Sequence, residues 1–392
     1  MVPSRRVAAA LLCATVIASI AAVAATGMVL ADEQAVETLD EQNNSYLFPP
    51  TEAVTQESYR SGGLAVSASA MADSERLHSE YRQHVFDQRF ATTDNRLALI
   101  DETVETLTLR SDAIDQRHSA LIEGYSTGAY SLSRVLREMA GLHAAASQQS
   151  AFAERIENAA DADGDISLSE DVEALFSAIE FELLNLNAPV TDGLAAGTFT
   201  TETSIYAHAT PDAIVLAASG ETHVRQATLR SERNASAPNR FLEDGGTSGD
   251  ALLRAEELYP GLQGFVTPPD EVTHVYTIDG ISTLGTFEAY LDGGTENVFH
   301  ELQRGHSAGV PVSETLTASA ENVSLTVETT DTTGPMLVSV TEAGDPVADA
   351  ELAVDGWSVG TTDADGERWV VQPLAGAELT VTVGEETVSI TL

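Results

Sequence analysis

Residues 86–125 of the chain read FDQRFATTDNRLALIDETVETLTLRSDAIDQRHSALIEGY. Apolar or small side chains recur there at alternating steps of four and three residues, which is the heptad spacing of helices that pack along a shared seam. The seam comprises Phe86, Phe90, Thr93, Leu97, Ile100, Val104, Leu107, Ser111, Ile114, His118, Leu121 and Tyr125. Because no Gly or Pro occurs from Ala72 to Glu123, the pattern predicts one helix of about 50 residues, roughly 75 Å long.

A second helix is predicted after a break from Gly124 to Gly128, and it begins near Ser131. Its inward positions are Leu132, Val135, Met139, Leu142, Ala146, Phe152 and Ile156. The short connection predicts an antiparallel hairpin, and a third helix is expected at 169–186, which gives a helical domain over 72–186. We expect His118 to be a tolerated interior polar residue rather than a ligand.

Strand-like patterns rich in Val, Ile, Thr and Tyr replace the helical ones after residue 186. They lie at 203–208, 212–218, 222–230, 273–278 and 322–329, and helical signals lie at 251–258 and 295–304. This mixture predicts an α+β domain over 187–334.

The last 58 residues, 335–392, carry short strand patterns separated by turn signals such as Gly344-Asp345-Pro346 and Asp355-Gly356. The strands are expected at 336–341, 350–354, 367–371, 378–383 and 387–392, which indicates a small β-sandwich. We expect Trp357 and Trp369 to pack in its core or at its edge. The whole is predicted to be a multidomain α+β protein with a long antiparallel helical hairpin, an α+β middle region and a C-terminal β-sandwich.

The N-terminus carries an export signal. Arg5 and Arg6 precede an apolar run from Val7 to Ala31, and Asp32 and Glu33 begin an acidic chain. This order places the N-terminus inside the cell and the bulk of the chain outside. Residues 1–31 are long enough to remain as a membrane anchor and also end in a plausible cleavage site, so both fates stay open. Residues 32–71 are polar and are expected to form a linker.

The amino-acid composition says more about the environment of the protein than about its function. The net charge is −42, with 61 acidic residues against 19 basic ones, all of them Arg. Concentrated salt would screen such self-repulsion, so we interpret the charge as adaptation to a halophilic, salt-rich habitat. Without a basic patch, nucleic acid is not expected as a partner. The sole cysteine is Cys13 in the apolar segment, which excludes disulfides and thiolate catalysis in the exported part.

One acidic stretch has the spacing of a degenerate EF-hand loop. With Gly164 at loop position six, the oxygen ligands of a Ca²⁺ ion would be Asp161, Asp163, Asp165 and Glu170. Position one is Ala159, which removes a carboxylate that such loops normally have. The alternative is an acidic helix–loop–helix turn without metal. Apart from this loop, no cofactor is expected.

No catalytic motif is recognisable in the sequence. The nine histidines include no H-E-x-x-H pair, and there is no G-x-S-x-G, P-loop or dinucleotide fingerprint. His300 and His306 are expected to flank the end of a helix. Sequons at Asn43, Asn234 and Asn322 are candidate glycosylation sites in an exported protein.

Two resemblances add to these expectations. Residues Gly344–Ala350 and Val359–Gly366 resemble the turns of the carboxypeptidase regulatory-like (transthyretin-like) sandwich, an accessory domain without an active site. The layout of the whole chain, with Tyr290–Phe299 as a characteristic segment, resembles uncharacterised cell-surface proteins of halophilic archaea. These resemblances imply an extracellular β-module and a surface location.

The function predicted from the sequence is a non-catalytic structural or interaction protein on the extracellular side of the cell membrane, secreted or anchored. Its hairpin would act as a spacer, a docking element or a self-association surface. The alternatives are a ligand-binding or sensory subunit of a membrane complex, which an uncleaved anchor would favour, and a hydrolase with an unrecognised site in 187–334.

Overall fold

A computed structural model describes residues 36–39, 44–61, 63, 65–163, 166–183, 186, 188–260, 263–267, 273–282 and 285–392. Within these ranges there are six α-helices: α1 Ala65–Thr92, α2 Arg96–Ser126, α3 Leu132–Asp163, α4 Glu170–Glu182, α5 Pro189–Ala196 and α6 Ser248–Leu258. Residues 35–392 form one compact unit. Residues 1–31, which are predicted to be an export segment, and Asn43 lie outside the described residues.

Strands of the N-terminal and middle regions are β1 Val36–Leu39, β2 Asn44–Leu47, β3 Gln56–Ser61, β4 Ser204–Thr210, β5 Ala213–Ser219, β6 Thr222–Leu229, β7 Gln263–Thr267, β8 Val275–Ser282, β9 Gly285–Asp292 and β10 Val298–His306. Strands β1 and β2 pair as a hairpin. The other eight form one antiparallel sheet in the order β3-β4-β5-β6-β10-β9-β8-β7, which we call the central sheet.

The C-terminal strands are β11 Glu314–Ala320, β12 Val323–Thr329, β13 Pro335–Glu342, β14 Asp345–Pro346, β15 Glu351–Val354, β16 Trp357–Thr361, β17 Glu367–Val371, β18 Glu378–Val383 and β19 Glu386–Thr391. They form two sheets, β11-β12-β13-β14 with β17 beside β13, and β16-β15-β18-β19. Val, Leu and Ala side chains fill the space between these sheets, as expected for a β-sandwich.

Both faces of the central sheet are covered over β4, β5 and β6. The helix face packs Ile205, Leu216 and Val224 against α1, α2, α3 and α5. The opposite face, the second face, packs against α6, residues 46–48 and the sandwich. Because water is excluded from both sides, these strands read as continuous apolar runs such as AIVLAAS rather than as alternating patterns.

The predicted fold class is confirmed: the hairpin α2–α3, the α+β middle region and the C-terminal sandwich are all present. The single long helix is wrong, because the chain turns at residues 93–95 between α1 and α2. Asn95 caps α2, its side-chain oxygen accepting a hydrogen bond from the Ala98 N–H. The turn interrupts the heptad repeat, and Leu97 just after it is exposed. The later seam residues, from Ile100 to Tyr125, are buried.

Three further expectations are corrected. Residues 44–61 give β2 and β3 rather than a linker, because β3 supplies the edge of the central sheet. Residues 298–306 form β10 rather than a helix, and its pairing with β6 and β9 places it inside the sheet. The sandwich begins at β11, since β11 and β12 pair within its first sheet. In the sandwich, Trp357 lies on edge strand β16 and is half exposed, which agrees with the edge position among the two that were expected.

Candidate interaction site

In the described residues, the half of the central sheet formed by β7 to β10 is only partly covered by helices on its helix face. Strands β7 to β10 carry side chains there that the register places in rows across the strands. In one row Leu302 lies opposite Glu288, Glu288 opposite Asp279, and Asp279 opposite Phe265. Phe265 is 63% exposed and Ile281, in the adjacent row, is 64% exposed. This open half is therefore a mixed apolar and acidic surface.

The open half of the sheet and the edge of the helical layer together form a cleft of about 900 Å³. The helical layer contributes His143 and Ser147 from α3 and Asp192 from α5. The sheet contributes the rows described above and Arg304 at the end of β10. A concave surface with apolar walls and several polar groups is the usual form of a binding site.

The charged side chains in the cleft differ in their contacts. Asp279 and Glu288 face each other across β8 and β9, and like charges in that position repel. Tyr290 donates its hydroxyl hydrogen to Glu288, and burial together with this carboxylate raises the pKa of Tyr290. His143 donates from Nδ1 to the Leu186 carbonyl oxygen at 2.7 Å, which leaves Nε2 facing Asp192 Oδ1 at 3.6 Å. Arg304 is exposed.

The second face holds a buried ion pair between Arg225 on β6 and Glu301 on β10. Around Glu301, Tyr259 Oη and Gln303 Nε2 each donate at 2.8 Å. Arg225 Nε donates to Thr333 Oγ1 of the sandwich at 2.8 Å. Burial raises the pKa of Glu301, and the guanidinium of Arg225 opposes that rise. This buried, hydrogen-bonded network joins the central sheet to the sandwich.

Four histidines are buried. Burial lowers the pKa of His208 and of His223 to about 3, and the positive charge of Arg225 adds to the effect. It also lowers the pKa of His300 to about 3 and that of His118 to about 4. His118, placed on the seam by the sequence, is thus an interior residue, and His300 lies in a strand rather than at a helix end. The lowered pKa values leave these four buried side chains uncharged near neutral pH.

The acidic loop has no assembled site among the described residues. Asp161 and Asp163 lie in the last turn of α3, where Asp163 pairs with Arg96, and Glu170 is the first residue of α4. Asp165 lies outside the described residues. Over the ranges described, no group of three or more His, Cys, Asp or Glu side chains is placed to hold a metal ion. Calcium binding here stays a prediction.

Sequence reasoning missed both the cleft and the ion pair. The sequence signal for the ion pair was Arg225, a charged residue inside the strand THVRQATL. Its partner Glu301 lies in the segment 295–304, which was predicted to be helical. The cleft depends on which strands the helices leave uncovered, which no local pattern reports. Of the sequons, Asn234 and Asn322 are exposed, so both are accessible for glycosylation.

Three protein-family models match different regions of the chain. Residues 6–200 match a domain of unknown function (DUF7096), and residues 205–311 match a family of unknown function (DUF7094). Residues 314–390 match an archaeal fibronectin-III type-like domain. The sandwich is therefore fibronectin-III-like, in place of the carboxypeptidase regulatory-like family that its turns resemble. Neither a curated protein nor a solved structure matches the chain.

These boundaries agree with the structure. The fibronectin-III-like match begins at β11, where the sandwich begins, and the second match spans β4 to β10 with α6. The first match includes α1 to α5 together with β3. A region of unknown function thus supplies one strand to a sheet that belongs mostly to the next region. In the described part of the chain, no helix is both long and apolar enough to cross a membrane.

Proposed function

We propose that the protein is an exported, non-catalytic interaction protein of the cell surface that binds a partner in the cleft between α3, α5 and strands β7 to β10. The observation that carries the proposal is the open half of the central sheet. Elsewhere that sheet is covered on both faces, whereas Phe265 and Ile281 stay exposed there. Exposed apolar side chains grouped in a concave surface are typical of binding sites.

The helical hairpin has a different role from the one its heptads suggest. Its seam is buried against the neighbouring helices of the same chain, so those residues are not available to dock a partner. Self-association would have to use other surfaces. We therefore assign the hairpin to the support of the cleft, because α3 supplies one wall of it.

Location on the extracellular side follows from the export segment in the sequence and is part of the proposal. A fibronectin-III-like domain at the C-terminus suits it, because such sandwiches occur widely in cell-surface proteins. The acidic surface suits a salt-rich exterior. Both fates of residues 1–31 are compatible with this function.

The cleft also supports the alternative of a ligand-binding or sensory subunit, since Arg304, His143 and Asp192 could orient a small polar ligand. For a hydrolase, Asp279 and Glu288 would have to act as an acid–base pair. Tyr290 already donates to Glu288, which engages that carboxylate in a structural contact. We therefore favour binding over catalysis.

Site-specific photocrosslinking in intact cells tests the proposal. A photoreactive residue at Ile281, inside the cleft, is expected to give discrete adducts outside the membrane. The matched control is Leu253 on α6, which is 58% exposed and lies outside the cleft. Equal adducts from both positions, or none from Ile281, would contradict binding in the cleft. Resistance of the protein to protease added to intact cells, with cleavage after lysis, would contradict the location.

A further inference from the structure

Residues 46–48 cross the second face of the central sheet as a buried, extended segment, which we call the strap. Tyr46, Leu47 and Phe48 are 3%, 0% and 2% exposed. Leu47 packs with Ala213, Val215 and the other apolar residues of that face. The strap is thus enclosed as completely as an interior strand, although its strand partner is β1 and it pairs with none of the eight strands of the central sheet.

Two side chains satisfy the backbone of Leu47. Its N–H donates to Glu301 Oε2 at 2.6 Å, and its carbonyl oxygen accepts a hydrogen bond from Arg225 Nη2. A neighbouring strand would normally supply such partners. Here an ion pair supplies one acceptor and one donor to the backbone of a single residue. Hydrogen bonds to the main chain are also the means by which many domains bind an extended peptide.

Aromatic contacts hold the residues on either side. The guanidinium of Arg225 lies 5.1 Å from the ring centre of Tyr46, within the range of a cation–π contact. The Phe48 ring lies 4.6 Å from the ring of His208 and 5.8 Å from that of Tyr46. These contacts favour an aromatic side chain before and after the leucine.

Contacts outside the strap also hold the two charged groups. Tyr259 and Gln303 donate to the Glu301 carboxylate and Arg225 donates to Thr333, and none of these contacts involves Leu47. Preorganised groups of this kind lower the cost of binding. Ordinary core packing uses apolar contacts, whereas here two buried charged side chains bond to the backbone of one residue.

We propose that the second face carries a peptide-binding site for an extended segment with leucine between two aromatic residues, and that the chain's own strap occupies it. The inference is independent of the cleft, which lies on the helix face. A free peptide of the same kind can then enter only by displacing the strap.

The test uses the full chain with a protease site inserted between Glu52 and Ala53, in the exposed turn Thr51–Ala53. After cleavage in concentrated salt, the N-terminal fragment should stay bound during gel filtration. A labelled synthetic peptide of residues 41–52 should then exchange with it. Unfolding of the cut chain despite excess peptide, or a fragment that never exchanges, would overturn the proposal.

Two ester peptides show whether the backbone is recognised. An ester in place of the Tyr46–Leu47 amide removes the Leu47 N–H without adding bulk, and binding should weaken on the order of 10- to 100-fold. An ester between the exposed Thr51 and Glu52 is the control and should bind like the parent peptide. Equal binding of the two esters would contradict recognition of the Leu47 N–H.

A variant of the chain that lacks both charged groups shows whether they recognise the Leu47 backbone. In Arg225→Met/Glu301→Met, both ionic groups are lost together, so no unpaired buried charge remains. The ester at Leu47 should then bind as well as the parent peptide. A persistent penalty in this variant would mean that Glu301 does not recognise the N–H.

Discussion

Arg225 Nη1 and Glu301 Oε1 lie 2.7 Å apart on neighbouring strands, with the two side chains only 2% and 0% exposed. Removing one partner leaves the other as an uncompensated charge in the interior. We expect Glu301→Ala to lower the free energy of unfolding by about 3–5 kcal/mol. Chemical denaturation in concentrated salt measures the change. A loss below about 1 kcal/mol would show that the pair is solvated in solution.

The control for this prediction is a surface pair. Arg89 and Glu102 bond through two contacts on the exposed faces of α1 and α2. Solvent and salt screen such a pair, so Glu102→Gln should leave the denaturation curve unchanged. The double variant Arg225→Met/Glu301→Met should be more stable than Glu301→Ala, because no lone charge is left inside.

Stability should fall as the pH falls below about 6.5. The unfolded chain protonates His118, His208, His223 and His300 near pH 6.5, whereas burial holds their pKa values at about 3 to 4 in the folded state. Protons therefore bind the unfolded state more strongly, and acid favours unfolding. At about pH 5 each histidine costs about 2 kcal/mol, or about 8 kcal/mol for the four.

Carboxyls whose pKa is raised in the folded state oppose this trend. Burial raises the pKa of Asp331 to about 6 and also raises that of Glu301, so the folded state takes up protons at these sites. A net uptake of about two to three protons on unfolding is expected between about pH 5 and 6, from the slope of unfolding free energy against pH. A flat profile would contradict the burial of the four rings.

Local patterns were sufficient for the elements whose burial follows one period. The repeat from Ile100 to Tyr125 has one buried face, and the spacing of apolar residues reports that face directly. The strands of the sandwich alternate in the same direct way, as in Val323–Thr329. These elements were predicted from sequence for that reason.

Non-local pairing explains what was missed. In β10 the residues Val298–Glu301 are all buried because the strand has neighbours on both sides and cover on both faces, so no alternation marks it. β3 is polar in sequence and becomes a strand only because β4 offers an edge. The turn at 93–95 lacks Gly and Pro, and a capping Asn is a weak signal within a strong heptad pattern.

Asn95 should contribute measurably to the separation of α1 from α2. Its side-chain oxygen accepts from the Ala98 N–H at 3.3 Å, which satisfies one of the first backbone donors of α2. Asn95→Ala should cost about 1 kcal/mol of unfolding free energy, and Asn95→Asp should keep most of it. Equal stability of the Ala and Asp variants in chemical denaturation would show that the cap is dispensable.

Gly264 allows edge strand β7 to lie close to β8. A Cβ at this position would lie 2.2 Å from the Asp279 carbonyl oxygen, so Gly264→Ala must displace the strand. We expect a local cost of about 1–3 kcal/mol. It should appear as faster amide exchange in β7 and β8 and as weaker crosslinking from Ile281. Gly309→Ala is the control, because no atom of the described chain lies within 4 Å of its added Cβ.

The sandwich and the rest of the protein should unfold in a single transition. Both tryptophans, Trp357 and Trp369, are in the sandwich, so their fluorescence reports that domain alone, whereas far-ultraviolet circular dichroism reports mainly the helices. Tyr59 and Tyr206 of the central sheet share one apolar core with the sandwich, and Tyr59 donates a hydrogen bond to the Val371 carbonyl oxygen. Unfolding one part would expose this core.

The variant that tests this coupling is Tyr59→Ala. Truncating a buried aromatic side chain costs about 3–5 kcal/mol, and here the loss falls on the contact between the two parts. We expect the two signals to coincide during denaturation of the parent protein and to separate in the variant, with fluorescence and dichroism changing at different denaturant concentrations. Tyr81→Ala, at a position that is 70% exposed on α1, is the matched control and should keep the signals together. Separate transitions in the parent protein would mean that the sandwich folds as an independent domain, because a shared core unfolds only once.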